Sequence, residues 1–380
     1  MKIVHLIIAC FYKEGYGYQE NILPAKHLQL GNDVTIISHI YGDFHRKEYI
    51  NSNGVKVVIL PDRASFFKKI PIVKSITRVT KGLMTQLNAE KPDIIFIHGL
   101  QAIDNLVAIN YKKLHPDTQI FADQHGDYYN MPLNSFKNRV VQKVLYRYIA
   151  QKIERKAEMI WGVTPWRVKY IREVYHLSKE KTALLVMGGD ENKVDWNNHL
   201  TTRKAIRDKY GIPQDKFVVI TGGKIDKAKN FHLLYDAIEQ LSDNVVLLFF
   251  GRIEEDMIDF FETHISKKMI NLGWINSDDS YAFFEASDLA VFPGTHSVLW
   301  EQACASGIPC VFKDWEGGFN HVDLGGNCVV LSNISVSSLR ETIEHLSDFG
   351  ETYKKMKTIA EEVARPYFSY YEIAKRSICL

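Results

Sequence analysis

The residues best suited to chemistry stand just after apolar runs. The run 217–223 passes into Gly222-Gly223-Lys224-Ile225-Asp226-Lys227-Ala228-Lys229-Asn230 and then into a helical pattern. Two glycines at a strand end let the backbone approach a ligand closely. Lysines at the N-terminus of the next helix add charge where the helix dipole already favours anions. A diphosphate is the natural guest; the alternative is a solvated lysine-rich turn. No GxxxxGK[ST] occurs, which excludes a P-loop NTPase.

The second stretch is Pro293-Gly294-Thr295-His296-Ser297-Val298-Leu299-Trp300-Glu301-Gln302-Ala303, again after an apolar run. A helix expected over 297–306 would offer backbone N–H groups near Ser297, Val298 and Leu299 as a second anion site. Glu301, one turn in, could accept both hydrogen bonds of a ribose diol, or serve as a capping-box partner at the helix start. His98 and His125 follow the runs 93–98 and 119–123. Each either faces a ligand or is a buried, satisfied histidine. The histidines show no metal-ligand spacing and no Asp-x-Asp occurs, so no metal is expected on a phosphate. Lysines and helix dipoles would do that work, and no cofactor is expected.

Strands must position these residues. Apolar, β-branched runs occur at 2–11, 33–38, 55–60, 93–98, 119–123, 159–164 and 182–187, then at 217–223, 244–251, 269–274, 289–294, 308–313 and 328–331. Nearly continuous apolarity marks strands covered on both faces. Helical periods lie between them, as in Phe231, Leu234, Ala237, Ile238 and Leu241. Alternating βα units imply doubly wound sheets, with ligands at the carboxyl ends of the strands. The polar segment 190–213 reads as a linker between two β-rich halves, 1–190 and 191–365. Residues 367–380 read as an amphipathic helix.

Composition sets outer bounds. The chain has 380 residues, enough for two domains of this kind, with 46% hydrophobic and 24% charged residues and a net charge of +2. Nothing in that balance points to nucleic acid. Five scattered cysteines without a CxxC pair suit a reducing compartment. The apolar start lacks a small-residue cleavage site and reads as a first strand, and no run approaches the roughly 18–20 residues that cross a bilayer. A cytoplasmic protein is expected.

The order of these motifs resembles the GT-B glycosyltransferases, in particular the retaining family 4, with many bacterial polysaccharide and glycolipid enzymes. Residues 223–230 are similar to that family's "G-R-L-x-x-x-K-G" diphosphate motif, with Lys224 in the arginine's place and Lys229 as the second base. Glu301 matches the second Glu of its "Glu, seven residues, Glu" motif, which binds ribose. Position 293, where the first Glu would fall, is Pro293. The loop is about four residues shorter than usual, so His296 and Ser297 would take over contacts to the sugar. Gly15-Tyr16-Gly17-Tyr18-Gln19-Glu20 resembles the glycine-rich loop facing donor phosphates and acceptor; Glu20 at the third glycine position rules out a dinucleotide fingerprint. Gly31-Asn32-Asp33-Val34-Thr35-Ile36 resembles "G-H-E-V-x-V", Val163-Thr164-Pro165 the "V-S-x" turn and Met187-Gly188-Gly189-Asp190 the "N-G-V-D" ending. His125 sits where the family places a histidine on the donor sugar. Leu272-Gly273-Trp274-Ile275 resembles the segment that meets the nucleobase, and residues 366–380 the last helix, which crosses back to the N-terminal domain.

The resemblance implies two Rossmann-like doubly wound α/β domains facing a cleft. The implied activity is a metal-independent hexosyltransferase moving sugar from a nucleoside-diphosphate sugar to a saccharide or lipid-linked acceptor, with retention, in cell-surface polysaccharide or glycolipid synthesis. Lys224, Lys229 and the N–H groups of 297–299 would stabilise the leaving diphosphate, with domain closure excluding water. An inverting enzyme would need a base on the acceptor side, from His125, Glu20 or Asp127, with His98 nearby. Basic and bulky apolar residues mix in 65–82 and again in 136–156, which suits an anionic membrane surface at the inner face of the cell membrane or, equally, a solvated helix face. A sugar-nucleotide 2-epimerase and a silent nucleotide-sugar-binding protein are the alternatives.

Overall fold

The computed structural model describes every residue except 11, 41–44, 63–78, 195, 265, 316–319 and 380. Most of the expected membrane-facing stretch 65–82 therefore lies outside the described residues. The chain divides into two compact units, one of Met1–Val186 with Ile373–Leu380 and one of Met187–Glu372.

Unit 1 contains β1 (Lys2–Ile7), α1 (Gln19–Gln29), β2 (Asp33–His39), β3 (Lys47–Ile50), β4 (Lys56–Leu60), α2 (Leu83–Glu90), β5 (Ile94–His98), α3 (Asn105–Leu114) and β6 (Gln119–Gln124). It continues with α4 (136–154), β7 (Met159–Gly162), α5 (Pro165–Glu173) and β8 (Thr182–Leu184). Its eight strands are ordered β3-β4-β2-β1-β5-β6-β7-β8, and every pairing is parallel except β3 with β4. β1 and β5 are wholly buried beyond Lys2, as their unbroken Ile, Val and Leu require. The exposed edge strand β3, Lys-Glu-Tyr-Ile, has no apolar run to announce it.

Unit 2 contains α6 (His199–Lys209), β9 (Phe217–Gly222), α7 (Phe231–Glu239), β10 (Val245–Phe250), α8 (Glu255–Thr263), β11 (Met269–Asn271), α9 (Ser280–Ala286) and β12 (Leu289–Phe292). α10 (Leu299–Ala305), β13 (Cys310–Lys313), β14 (Cys328–Leu331), α11 (Val336–Leu346) and α12 (Glu351–Ile359) follow, and α13 (Tyr370–Ser377) runs on into the last segment of unit 1. Six parallel strands are ordered β11-β10-β9-β12-β13-β14. The strand order reverses between β9 and β12, the place where doubly wound sheets open a crevice.

The segment 190–213 is not a linker. It contains α6, whose Arg203 and Arg207 pair with the two oxygens of Asp288 at 2.7 Å each. Arg207 is fully buried and also donates to the carbonyls of Ala286, Gln214 and Lys216. Its polarity belongs to a buried ion-pair network, which the local sequence cannot distinguish from a solvated tether.

Candidate active site

A cavity of about 390 Å³ opens at the β9/β12 reversal. One wall follows β9, from Thr221 to Ile225, with Lys229; the other follows β12, through Pro293, Thr295 and Ser297–Trp300. Glycine is obligatory at two close approaches. Gly223 has φ +102°, and a Cβ on Gly294 would stand 2.6 Å from the Lys229 Cα. The two loops are tied together there, with Asn230 Nδ2 donating to the Pro293 carbonyl at 2.8 Å.

Asp226 shapes the lysine turn by accepting from the Lys229 backbone N–H at 2.7 Å. The Lys229 ammonium crosses the mouth to the Thr295 carbonyl and to Thr295 Oγ1, the latter at 2.9 Å. Burial lowers its pKa, opposed by Asp226. Lys224 is more open, its side chain 57% exposed and 3.2 Å from Asp226 Oδ2, and the hydrogen bond to Asp226 raises its pKa. Two ammonium groups and a flexible-backbone turn thus line one concave space.

Other expected donor residues stand elsewhere. α10 begins at Leu299, with Val298 as its uncapped N-cap, so neither a helix from 297 nor a capping box forms. Glu301 is fully buried and outside the cavity wall. Its Oε1 receives His296 Nε2 and His321 Nε2 at 2.8 Å each, while its buried Oε2 has no hydrogen-bond partner among the described residues. Burial alone would raise this carboxyl, but the two imidazoles hold it down at about 2. His296 stacks on Trp315 with ring centroids 4.3 Å apart, turned towards Glu301 instead of into the cavity. His296, Glu301 and His321 thus form a clamp behind the 293–300 loop. Trp274 is 78% exposed and does not line the cavity.

In unit 1, Gly15 takes φ +79° and Asn21 Nδ2 holds the loop through the Lys13 and Tyr16 carbonyls. Tyr16 and Tyr18 flank Gly17 and stack at 5.3 Å, both half-exposed. The neighbouring Gln19 is 3% exposed, and neither of its amide atoms finds a partner among the described residues, an orphaned group at the start of α1 that the sequence did not single out. His125 stands 3.3 Å from Asp123 Oδ2 with its side chain 28% exposed. Burial opposes its charged form, but the Asp123 and Glu20 carboxylates outweigh that, and its pKa is raised.

His98 is not a ligand-facing residue. It is fully buried, donating to or accepting from His5 at 2.9 Å and Asp123 at 2.8 Å. Asp127 is also spoken for: its Oδ1 accepts from the Tyr129 and Asn130 N–H groups and its Oδ2 faces Arg167 at 3.3 Å. Two triads, His98/Asp123/His125 and His296/Glu301/His321, bring one ligand atom per residue within 4.8 Å of one another and are where a cation could be held. Sequence spacing hides both, because each joins different strands or loops.

Two doubly wound α/β units, one with a lysine-lined cavity at its strand reversal, define the class: a protein of GT-B fold. Residues 202–363 match the family Glycosyl transferases group 1. No curated protein matches the sequence. Among solved structures, Alr3699/HepE of Anabaena in complex with UDP is 16% identical, with 99% of this chain and 98% of that one covered and a TM-score of 0.66. Sucrose-phosphate synthase from Thermosynechococcus elongatus is 14% identical over 99% and 96%, with a TM-score of 0.64. A putative UDP-N-acetylglucosamine 2-epimerase from Listeria monocytogenes is 13% identical over 99% and 94%, with a TM-score of 0.55. The fold alone is thus shared by transfer and epimerisation, and the family match favours transfer.

Proposed function

We propose that the protein transfers a sugar from a nucleoside-diphosphate sugar to a saccharide or lipid-linked acceptor in cell-surface polysaccharide or glycolipid synthesis. The observation that carries this is the cavity at the β9/β12 reversal, where Lys224, Lys229 and the Gly222-Gly223 turn converge. The diphosphate would replace the Thr295 contacts of the Lys229 ammonium, and Lys224 would leave Asp226 to meet it. As the glycosidic bond breaks, both cations and the N–H groups of 297–299 stabilise the departing charge. The Anabaena structure with UDP supports a nucleotide in this class of site.

Retention follows from the family resemblance, with a leaving-phosphate oxygen taking the acceptor's proton. No metal is required on the phosphates in this reading. The five unbridged cysteines fit the reducing cytoplasm.

Thermal shift against UDP-, GDP- and dTDP-sugars identifies the donor, since a ligand stabilises the state that binds it. Lys229→Ala should then weaken the best donor about 10–100-fold, the worth of a charged hydrogen bond to phosphate. Unchanged affinity would remove Lys229 from the site. Isomerised donor in the absence of any acceptor would replace transfer with epimerisation.

A further inference from the structure

The two histidine-carboxylate triads differ in what they leave unmet. In unit 1 both oxygens of Asp123 are used, Oδ2 by His98 and Oδ1 by the Gly99 N–H at 3.2 Å. In unit 2, Glu301 Oε1 serves two imidazoles, while the equally buried Oε2 has no hydrogen-bond partner among the described residues. A buried carboxylate oxygen without a protein donor asks for a water or an ion.

The donor set suits a transition metal. Two imidazole nitrogens and a carboxylate favour Zn²⁺ over Mg²⁺ or Ca²⁺, which take oxygen ligands. An ionised Glu301 only accepts, so His296 and His321 each present an Nε2–H to Oε1, at 2.8 Å. A tetrahedral zinc with bonds of about 2.0–2.2 Å sets its ligand atoms about 3.4 Å apart. The N···O pairs need open only slightly to admit it, and all three ligand atoms already lie within 4.8 Å of one another.

The ligands stand on braced segments. His296 stacks on Trp315 and meets the Trp300 ring edge-on at 5.3 Å. Asn320, next to His321, donates to Asp314 Oδ1 at 2.7 Å and accepts from the Trp315 N–H at 3.2 Å. The fully buried Asn327 accepts from the Leu324 N–H and donates to the Val322 carbonyl. The His296 and His321 side chains are 8% and 3% exposed, so little water competes for the ligand atoms.

We propose that His296, Glu301 and His321 bind one Zn²⁺ ion through Nε2, Oε1 and Nε2, with Oε2 as a second carboxylate oxygen on the metal. Each imidazole keeps a single proton, moved from Nε2 to Nδ1, and the two hydrogen bonds to Oε1 are exchanged for metal bonds. The ion pins the 293–300 loop to the 321 region from behind. It does not reach the diphosphate, because Glu301 stands outside the cavity wall.

The test strips the full chain with a chelator, returns one equivalent of Zn²⁺, desalts it, and measures retained zinc and melting temperature. About one zinc per chain and a raised melting temperature are expected, with no shift from Mg²⁺. His321→Gln keeps a donor for Glu301 but removes a ligand. Affinity should fall by at least the roughly 10–100-fold that loss of an outer-shell partner costs. His296→Gln tests the same set should the first variant misfold, and His321→Cys should restore retention through a thiolate. His125→Ala, which dismantles the triad of unit 1, should keep the zinc. Metal-free melts of each variant separate a lost ligand from a lost fold. No uptake by the stripped chain, full retention by the folded His321→Gln and His296→Gln variants, or loss in His125→Ala alone would overturn the proposal. Zinc is read without any sugar donor, so the result is independent of the transfer reading.

Discussion

His296 Nε2 lies 2.8 Å from Glu301 Oε1, and His321 Nε2 approaches the same oxygen at the same distance. One carboxylate oxygen thus fastens the 293–300 loop, through His296, to the 321 region. Glu301→Gln removes the charge both imidazoles serve and should cost about 3 kcal/mol, the order found on breaking buried charged pairs. Chemical denaturation measures it, and a wild-type midpoint would refute the clamp.

The same group predicts an acid limb. Its folded pKa, about 2, lies below the 4.5 of an ordinary glutamate in an unfolded chain. Its stabilisation is therefore complete above about 4.5 and is lost as pH falls towards 2. In Glu301→Gln that part of the acid dependence should vanish, which denaturation across pH reads directly.

His27 predicts a second, milder limb. Burial lowers its pKa to about 4 from the 6.5 of an ordinary imidazole. A base with a depressed folded pKa binds fewer protons folded than unfolded between these values, so stability falls as pH drops from about 6.5 to 4. His27→Gln should flatten the slope in that window, whatever it does to stability at neutral pH. An unchanged slope would count against it.

Gly294→Ala should separate the two loops that frame the cavity, because the added Cβ meets the Lys229 Cα at 2.6 Å and the Lys229 carbonyl oxygen at 2.8 Å. A cost of about 1–3 kcal/mol is expected, together with weaker donor binding. Thermal shift with the donor reads both, and unaltered binding would argue against the close approach.

Where local pattern decided structure, the sequence was legible. The apolar runs announced thirteen of the strands within a few residues, and the glycine-lysine turn after β9 lies on the cavity as expected. β3 escaped because Lys47-Glu48-Tyr49-Ile50 is exposed and pairs only at an edge. α6 was misread because Arg207 finds Asp288 some eighty residues later. The partners of His98, and His321 as the second imidazole on Glu301, were unreadable for the same reason. Each comes from another strand or loop, and a residue's local neighbours do not report such a partner.

Unit 1 is discontinuous: Ile373–Leu380 belongs to it, and Ala374 and Ser377 both bond His27 there, while the Trp161 indole donates to the Ser377 carbonyl. All of unit 2 is translated before those partners emerge, roughly 10–40 s at ribosomal speed. Through that interval the nascent first half holds an unfinished polar seam, open to chaperones. The half made first is thus the half completed last.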